Sequence, residues 1–209
     1  MGDGREDYTD EDNILIPRRL PVGERIGKWL LDVLMAAVLL LFLAPLMLVI
    51  IGTIRWQTRG SAIFKQERIG WRGEPFTMYK FRTMAPEADP YAPAPRQPDD
   101  QRITPIGRWL RKYYLDELPQ LINVLKGEMS LVGPRPEMPL LVDRYQPWQR
   151  QRLLVKPGLT GLWQIKGRKE LPICENLRYD FYYIRHRSLA LDIAIILRTI
   201  PLILRGRGI

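Results

Sequence analysis

From Val33 to Ile54 the chain carries no charged side chain, and most positions are Leu, Ile, Val, Ala or Met. About 20 apolar residues in a helix span the ~30 Å hydrocarbon core of a bilayer, so the run is long enough to enter a membrane. It starts too far from the N-terminus, and lacks the small-residue cleavage site, to be a signal peptide. Two features argue against a simple crossing. Pro45 sits at its middle, where it removes a backbone hydrogen bond and breaks or kinks a helix. Bases flank both sides: Arg18, Arg19, Arg25 and Lys28 before, Arg55, Arg59, Lys65 and Arg68 after. Positive flanks stay on the cytoplasmic side, which places both ends there. A segment that enters, bends at Ala44-Pro45 and returns satisfies both observations. A single kinked transmembrane helix is the alternative, since prolines are tolerated in such helices. Asp32 has to stay near the interface or pair with Lys28 or Arg25.

Beyond this run the pattern shortens. SAIFKQ and PFTMYKF, joined by a turn at Gly70-Trp71-Arg72-Gly73, predict a hairpin over 61–84. Residues 85–100 hold Pro86, Pro90, Pro93, Pro95 and Pro98, which predicts an irregular loop. A short basic helix is predicted over 105–113. Another is predicted over 117–126, with Pro119 in its first turn and Gly127 just past its end. Residues 136–152 have helical spacing. Gly158 and Gly161 bracket a turn before a strand-like LWQIK. The chain turns helical again from about Glu175. The tail SLALDIAIILRTIPLILRGRGI is apolar but interrupted by Asp192, Arg198, Arg205 and Arg207. It suits either a helix lying in the membrane interface or a buried core helix. No internal repeat is present.

Composition narrows the class. The 209 residues allow one domain with attachments, and 46% hydrophobic with 26% charged residues excludes a disordered chain. The lone Cys174 forbids an intramolecular disulfide, and with the lone His186 it argues against a structural zinc site. The net charge is +9 although the first twelve residues are acidic (Asp3, Glu6, Asp7, Asp10, Glu11 and Asp12 against Arg5). The body is therefore more basic than the total, and suits phosphates, lipid headgroups or nucleic acid. The organisation expected is a mobile acidic leader over 1–20, a re-entrant membrane helix over 21–60, and a catalytic domain over 61–209 with interfacial C-terminal helices.

Four stretches could carry chemistry. Arg108-Trp109-Leu110-Arg111-Lys112-Tyr113-Tyr114-Leu115-Asp116-Glu117 brings two adjacent carboxylates to a helix start, with bases just upstream. A phosphate could rest on the free N–H groups there, and an ionised carboxylate could act as nucleophile or metal ligand. An Asp N-cap followed by a surface Glu is the plain alternative. In Gly133-Pro134-Arg135-Pro136-Glu137, prolines on both sides fix the backbone of Arg135, whose guanidinium can grip phosphate in two places. The alternative is a rigid turn with an exposed arginine. On Tyr79-Lys80-Phe81-Arg82-Thr83-Met84, strand alternation puts Lys80 and Arg82 on one face, either a two-pronged cation or a solvated surface. Val155-Lys156-Pro157-Gly158-Leu159-Thr160-Gly161-Leu162-Trp163-Gln164 is a glycine-punctuated turn whose spacing indicates no chemistry by itself. A phosphate loop, a dinucleotide glycine fingerprint and a Gly-x-Ser-x-Gly elbow are all missing.

Taken together these stretches resemble the monotopic phosphoglycosyl transferases, in their short form. The resemblance runs from about Gly27 to Gly208. It is carried by KQERIGWRGEPFTMYKFRTM, the ITPIGRWLRK run, LDELPQLINVLKGEMSLVGPRPE and VKPGLTGLWQIKGR. It implies a mixed α/β, helix-dominated domain on a re-entrant helix-break-helix, with interfacial amphipathic helices and a small hairpin, at the cytoplasmic face of the bacterial inner membrane. It also implies Asp116 as nucleophile and Glu117 as its partner, associated with Mg2+. Arg111 matches a basic residue beside the pair, Arg135 helps hold the nucleotide, and Asp180 is a further acidic site position. Two departures stand out: Lys28-Trp29 where relatives have Lys-Arg, and Ala44 before the breaking proline where many have Ser, whose hydroxyl could bond the freed backbone groups.

The reaction this implies is attack of Asp116 on the β-phosphorus of a UDP-sugar, loss of UMP, and transfer of the sugar phosphate to polyprenyl phosphate. The expected partners are the UDP-sugar, polyprenyl phosphate and membrane lipid, with no nucleic acid and a possible homodimer. A multi-span transferase is disfavoured by the single apolar run. A non-enzymatic basic module binding anionic lipid leaves the paired acids unexplained.

Overall fold

The computed structural model describes residues 17–89, 92, 95, 99–166 and 177–206. The acidic leader to residue 16, part of the proline-rich loop, residues 167–176 and the last three residues lie outside the described residues.

The apolar run forms α1 (Val22–Thr58), a single 37-residue helix that continues through Pro45. The expected interruption at Ala44-Pro45 is not present as a break between two helices. Pro45 costs one backbone bond on the outward, exposed face of the helix. Leu39 and Leu40 before it, and Leu46 and Met47 after it, are packed against the domain's cores and hold both halves. Asp32, Ala36, Ile50 and Ile54 are the buried residues, a stripe at helical spacing along one face. The opposite face leaves Trp29, Leu34, Val38, Leu41, Phe42, Leu48, Val49 and Trp56 exposed. At its N-terminal end Asp32 Oδ1 accepts from the Leu131 amide (3.0 Å), and at its C-terminal end Gln57 Oε1 accepts from the Ile106 amide (3.2 Å). Both ends of α1 therefore lie against the same domain. Lys28 stands 3.9 Å from Asp32, and bonds Asp192 at 2.7 Å and Ser130 at 2.8 Å.

The hairpin forms as expected: β1 (Ile63–Ile69) runs antiparallel to β2 (Pro75–Phe81), from Ile63 opposite Phe81 to Ile69 opposite Pro75. α2 (Pro105–Lys112) is capped by the Thr104 hydroxyl, which accepts from the Gly107 amide. A side chain at Gly107 would meet the Thr83 carbonyl at 2.1 Å, so glycine is what lets α2 lie against the strand. The helix expected over 117–126 splits into a 3₁₀ turn at Leu115–Glu117 and α3 (Gln120–Leu125), divided at Pro119, which has no N–H to continue it. β3 (Ser130–Val132) pairs in parallel with β4 (Gly158–Thr160).

Two expectations change. The helical spacing over 136–152 resolves into α4 (Pro139–Val142) and a 3₁₀ turn at Gln149–Leu154, with Pro147 between them. LWQIK is helical, α5 (Leu162–Lys166), and the strand is the segment before it. The two glycines bracket a strand because a close backbone approach, and not a turn, demands them. A Cβ on Gly158 would lie 2.0 Å from the Gly133 nitrogen.

α6 (Leu177–His186) and α7 (Leu189–Leu204) complete the domain. α7 packs on the domain through one face and leaves the other exposed: Asp192 and Ile195 are buried, while Ile193, Leu197, Ile200 and Leu204 are exposed. Arg18, within the segment expected to be a mobile leader, donates to the Arg187 carbonyl (2.8 Å) and bonds Ile184 through its backbone. The described residues make a helix-dominated mixed α/β domain with two small sheets and one long apolar helix.

Candidate active site

The acidic pair sits in the 3₁₀ turn between α2 and α3, and Asp116 and Glu117 are each 9% exposed. Tyr114, just before it, adopts a left-handed conformation (φ 57°), rare for a non-glycine residue. That turn redirects the chain from α2 so that both carboxylates face inward. The surface-glutamate alternative is thereby removed: Glu117 Oε1 is shared by Lys80 Nζ at 2.9 Å and Arg135 Nη2 at 2.7 Å.

Each cation is delivered by a different element. Lys80 comes from β2, whose edge is held by Asn123 of α3. Asn123, fully buried, accepts from the Tyr79 amide (3.2 Å) and donates to the Thr77 carbonyl (2.7 Å). Arg135 comes from the Pro-Arg-Pro loop after β3. Arg111 comes from the last turn of α2 and donates through Nε to the Thr83 hydroxyl at 2.8 Å. Asp116 makes no ion pair or hydrogen bond among the described residues, although Lys80, Arg111 and Arg135 all act on it electrostatically.

These surroundings drive the two carboxylates apart. Burial pushes the Asp116 carboxyl up, with the Glu117 charge adding to it and Lys80 opposing. Burial also works against the Glu117 carboxylate, but Arg135 and Lys80 outweigh it and hold the group well below the usual range. Burial lowers Lys80, against the attraction of Glu117. One acid is thus a fixed counter-charge for two cations. Its neighbour is desolvated and makes no ion pair among the described residues, so it is the carboxylate left available to a ligand.

Two expected site residues fall elsewhere. Arg82 leaves the end of β2 and lays its guanidinium over Gly60, and it makes no ion pair with either carboxylate among the described residues. Asp180 is 3% exposed, and Arg152 binds its Oδ2 through Nε at 2.9 Å and Nη2 at 2.8 Å. Its carboxylate is bound by Arg152, and it makes no ion pair or hydrogen bond with the acidic pair among the described residues. Residues not foreseen from the sequence also enter. Arg68 of β1, 3.4 Å from Glu137, is lowered to about 10 by burial and so stays charged at neutral pH. Arg152 is also buried, and no local pattern in the sequence marks it as such.

The family model described as bacterial sugar transferase matches residues 23–206. The chain belongs to that family. It is 37% identical to the exopolysaccharide production protein ExoY of Sinorhizobium fredii, over 90% of this chain and 89% of the relative. It is 42% identical to the UDP-glucose:undecaprenyl-phosphate glucose-1-phosphate transferase of Caulobacter vibrioides, over 88% of this chain and 72% of that one. It is also 38% identical to the undecaprenyl-phosphate galactose phosphotransferase of Salmonella typhimurium, over 89% of this chain but 42% of that longer protein. This bacterial sugar transferase is therefore an enzyme, and a purely lipid-binding module no longer accounts for it. Its one long apolar helix makes membrane association the simplest reading of the exposed apolar stripe on α1.

Proposed function

We propose that this enzyme moves a sugar-1-phosphate from a UDP-sugar to polyprenyl phosphate through a covalent intermediate on Asp116. The observation that carries the reading is the asymmetry of the acidic pair: Glu117 bound by Lys80 and Arg135, Asp116 unpaired beside them. The relatives whose names specify undecaprenyl phosphate and a sugar phosphate support the donor and acceptor classes.

In the first step an Asp116 Oδ bonds to the β-phosphorus while the bond from that phosphorus to the bridging oxygen breaks. UMP departs with the oxygen. Arg135 and Arg111, the cations beside the pair, would supply donors to the developing charge. In the second step an oxygen of polyprenyl phosphate attacks the same phosphorus and Asp116 is released, giving a polyprenyl diphosphate sugar. Mg2+ fits the donors present. A magnesium ion usually takes one or two protein carboxylates and completes its shell with phosphate and water. Asp116 makes no ion pair among the described residues, and Arg135 Nη1 stands 3.5 Å from Glu117 Oε2. When bound there, the ion would neutralise diphosphate charge.

The acceptor's phosphate lies at the headgroup plane, so the site belongs at that plane too. We place α1 in one leaflet of the bacterial inner membrane, re-entrant or lying within it, with the domain on the cytoplasmic face. A straight crossing would carry the two ends of α1 to opposite sides, yet both touch one domain. The test is UMP release from a panel of UDP-sugars without acceptor, with mass spectrometry of the intact chain for a glycosyl-phosphoryl adduct. Asp116→Asn should abolish both. Turnover near normal in that variant would end the nucleophile assignment.

A further inference from the structure

The Arg135 loop touches the acidic pair on one side and a buried cluster on the other. Four backbone groups of this loop, on Gly133, Pro134, Arg135 and Glu137, are pinned from outside it. The Gly133 amide donates to Thr160 (2.9 Å), and the Pro134 carbonyl accepts from Gly158 (2.8 Å). The Arg135 carbonyl accepts from Arg152 Nη2 (2.7 Å), and the Glu137 carbonyl accepts from Ile69 (2.9 Å). Three of these partners are backbone groups of strands. The fourth, the one on Arg135 itself, is a charged side chain with 2% exposure.

Placing a guanidinium at that depth demands compensation. Its donors are directed to three acceptors: Asp180 Oδ2 from Nε at 2.9 Å, the Tyr145 hydroxyl from Nη1 at 3.0 Å, and the Arg135 carbonyl from Nη2 at 2.7 Å. Tyr145 follows α4, Arg152 lies in the 3₁₀ turn after it, and Asp180 lies on α6. The planar fork joins three elements to one carbonyl, which a lysine's single ammonium cannot do at once. A buried apolar pair of similar volume would fill the space as well and is often no less stable. Packing alone therefore does not call for these charges here.

We infer that Arg152 and Asp180 are positioning residues, a buried ion pair that fixes the backbone of Arg135 so that its guanidinium meets Glu117 and the donor's diphosphate in one geometry. The role of Arg135 toward the diphosphate rests on the reaction proposed above. The fixing of its backbone does not.

The experiment uses the full-length chain in lipid nanodiscs, with Arg152→Lys as the first variant. Lysine keeps a charge for Asp180 but loses the bond to the Arg135 carbonyl. Three readouts are taken: amide hydrogen exchange at Gly133, Gly158 and Ile69, the N–H groups that donate in the bonds holding the loop, in the free enzyme; kcat/KM for UMP release from UDP-glucose and UDP-galactose; and the same rate in Arg135→Ala and in the double variant. Exchange at the three amides should rise by tenfold or more. A displacement of about 1 Å costs about a hundredfold in rate, so kcat/KM should fall by roughly that factor. Added to Arg135→Ala, the Arg152 change should cost little further, because groups acting through one another are not additive. If Arg152→Lys does not fold, the apolar pair Arg152→Met with Asp180→Leu makes the same test with no buried charge left unpaired. Unchanged exchange at the loop, or losses that multiply with Arg135→Ala, would overturn the inference. A wild-type enzyme that releases no UMP from either donor would instead sink the proposed reaction, and the exchange measurement would still decide the positioning.

Discussion

Replacing Glu117 by Gln keeps the side chain's shape and removes its charge, so it isolates what that charge does. In the native site Glu117 Oε1 takes bonds from Lys80 Nζ at 2.9 Å and Arg135 Nη2 at 2.7 Å, in a side chain only 11% exposed. Hydrogen bonds to a charged group are worth about 1.5–3 kcal/mol against ~0.5–1.5 for neutral ones, so the two together lose about 2 kcal/mol. Two half-buried cations would also be left facing each other. Breaking a buried pair by removing one partner costs about 3–5 kcal/mol in all. In a chain of this size 1 kcal/mol is worth about 2–4 °C in Tm, so Glu117→Gln should lower it by about 10 °C. Asp116→Asn should behave oppositely. It removes an unpaired, desolvated charge, so its Tm should match or exceed that of the native enzyme while adduct formation disappears. Thermal unfolding in one detergent, followed by tryptophan fluorescence, compares the three proteins. A Glu117→Gln drop below about 2 °C, or an Asp116→Asn drop as large as that of Glu117→Gln, would refute the division of labour drawn from these distances.

Further outcomes follow from the same geometry. Asp116 must be ionised to attack and its folded value is raised, so the acid limb of UMP release at fixed Mg2+ should lie above the ~3.9 of a free aspartate. Lys80→Met should move that limb to higher pH, because Lys80 is the largest influence lowering Asp116; a shift to lower pH contradicts the assignment. For Glu117 the sign is reversed: its folded value is depressed, so its stabilising charge is present above about 4.3 and lost as pH falls through the folded value. The native protein should therefore lose more Tm than Glu117→Gln between pH 5 and the acid transition. Gly158→Ala drives a methyl to 2.0 Å from the Gly133 nitrogen and should cost about 3 kcal/mol or more, read as a fall in Tm. In a Cys174→Ser background, Arg25→Cys and Arg59→Cys should both be labelled by an impermeant maleimide only in inside-out vesicles; labelling from opposite sides would mean that α1 crosses.

What was legible in the sequence was whatever depends on neighbours along the chain. The hairpin was visible because its alternation is interrupted at Gly70 and Gly73, and the basic helix because Thr104-Pro105 starts it. The acidic pair and Arg135 were visible for the same reason: prolines and helix signals next to them mark fixed backbone. The misreadings share a different cause. LWQIK alternates well enough for a strand, but the strand partner Ser130–Val132 takes Gly158–Thr160 instead. Pro45 signals a break, but packing of both halves of α1 on the domain keeps the chain helical. Arg82 belongs by alternation to the face of Lys80, yet β2 ends at Phe81 and Arg82 turns to Gly60. Each of these is decided by residues distant in sequence, where no local period reports.

The roles within the acidic pair show the same boundary at the level of chemistry. Two carboxylates side by side in a sequence are equivalent to any local argument, since they share the same turn, the same bases upstream and the same helix ahead. What separates them is that a strand and a loop, from opposite sides in sequence, bring Lys80 and Arg135 to one oxygen of Glu117. With both cations bonded there, Asp116 is left buried with no ion pair among the described residues, and only the longer-range fields of Lys80, Arg111 and Arg135 oppose its burial. Had the two cations met Asp116 instead, the same sequence motif would leave Glu117 as the reactive acid. If Asp116 is the nucleophile proposed above, tertiary pairing selects it, and the residues that hold the pairing in place are Asn123 behind Lys80 and Arg152 behind Arg135.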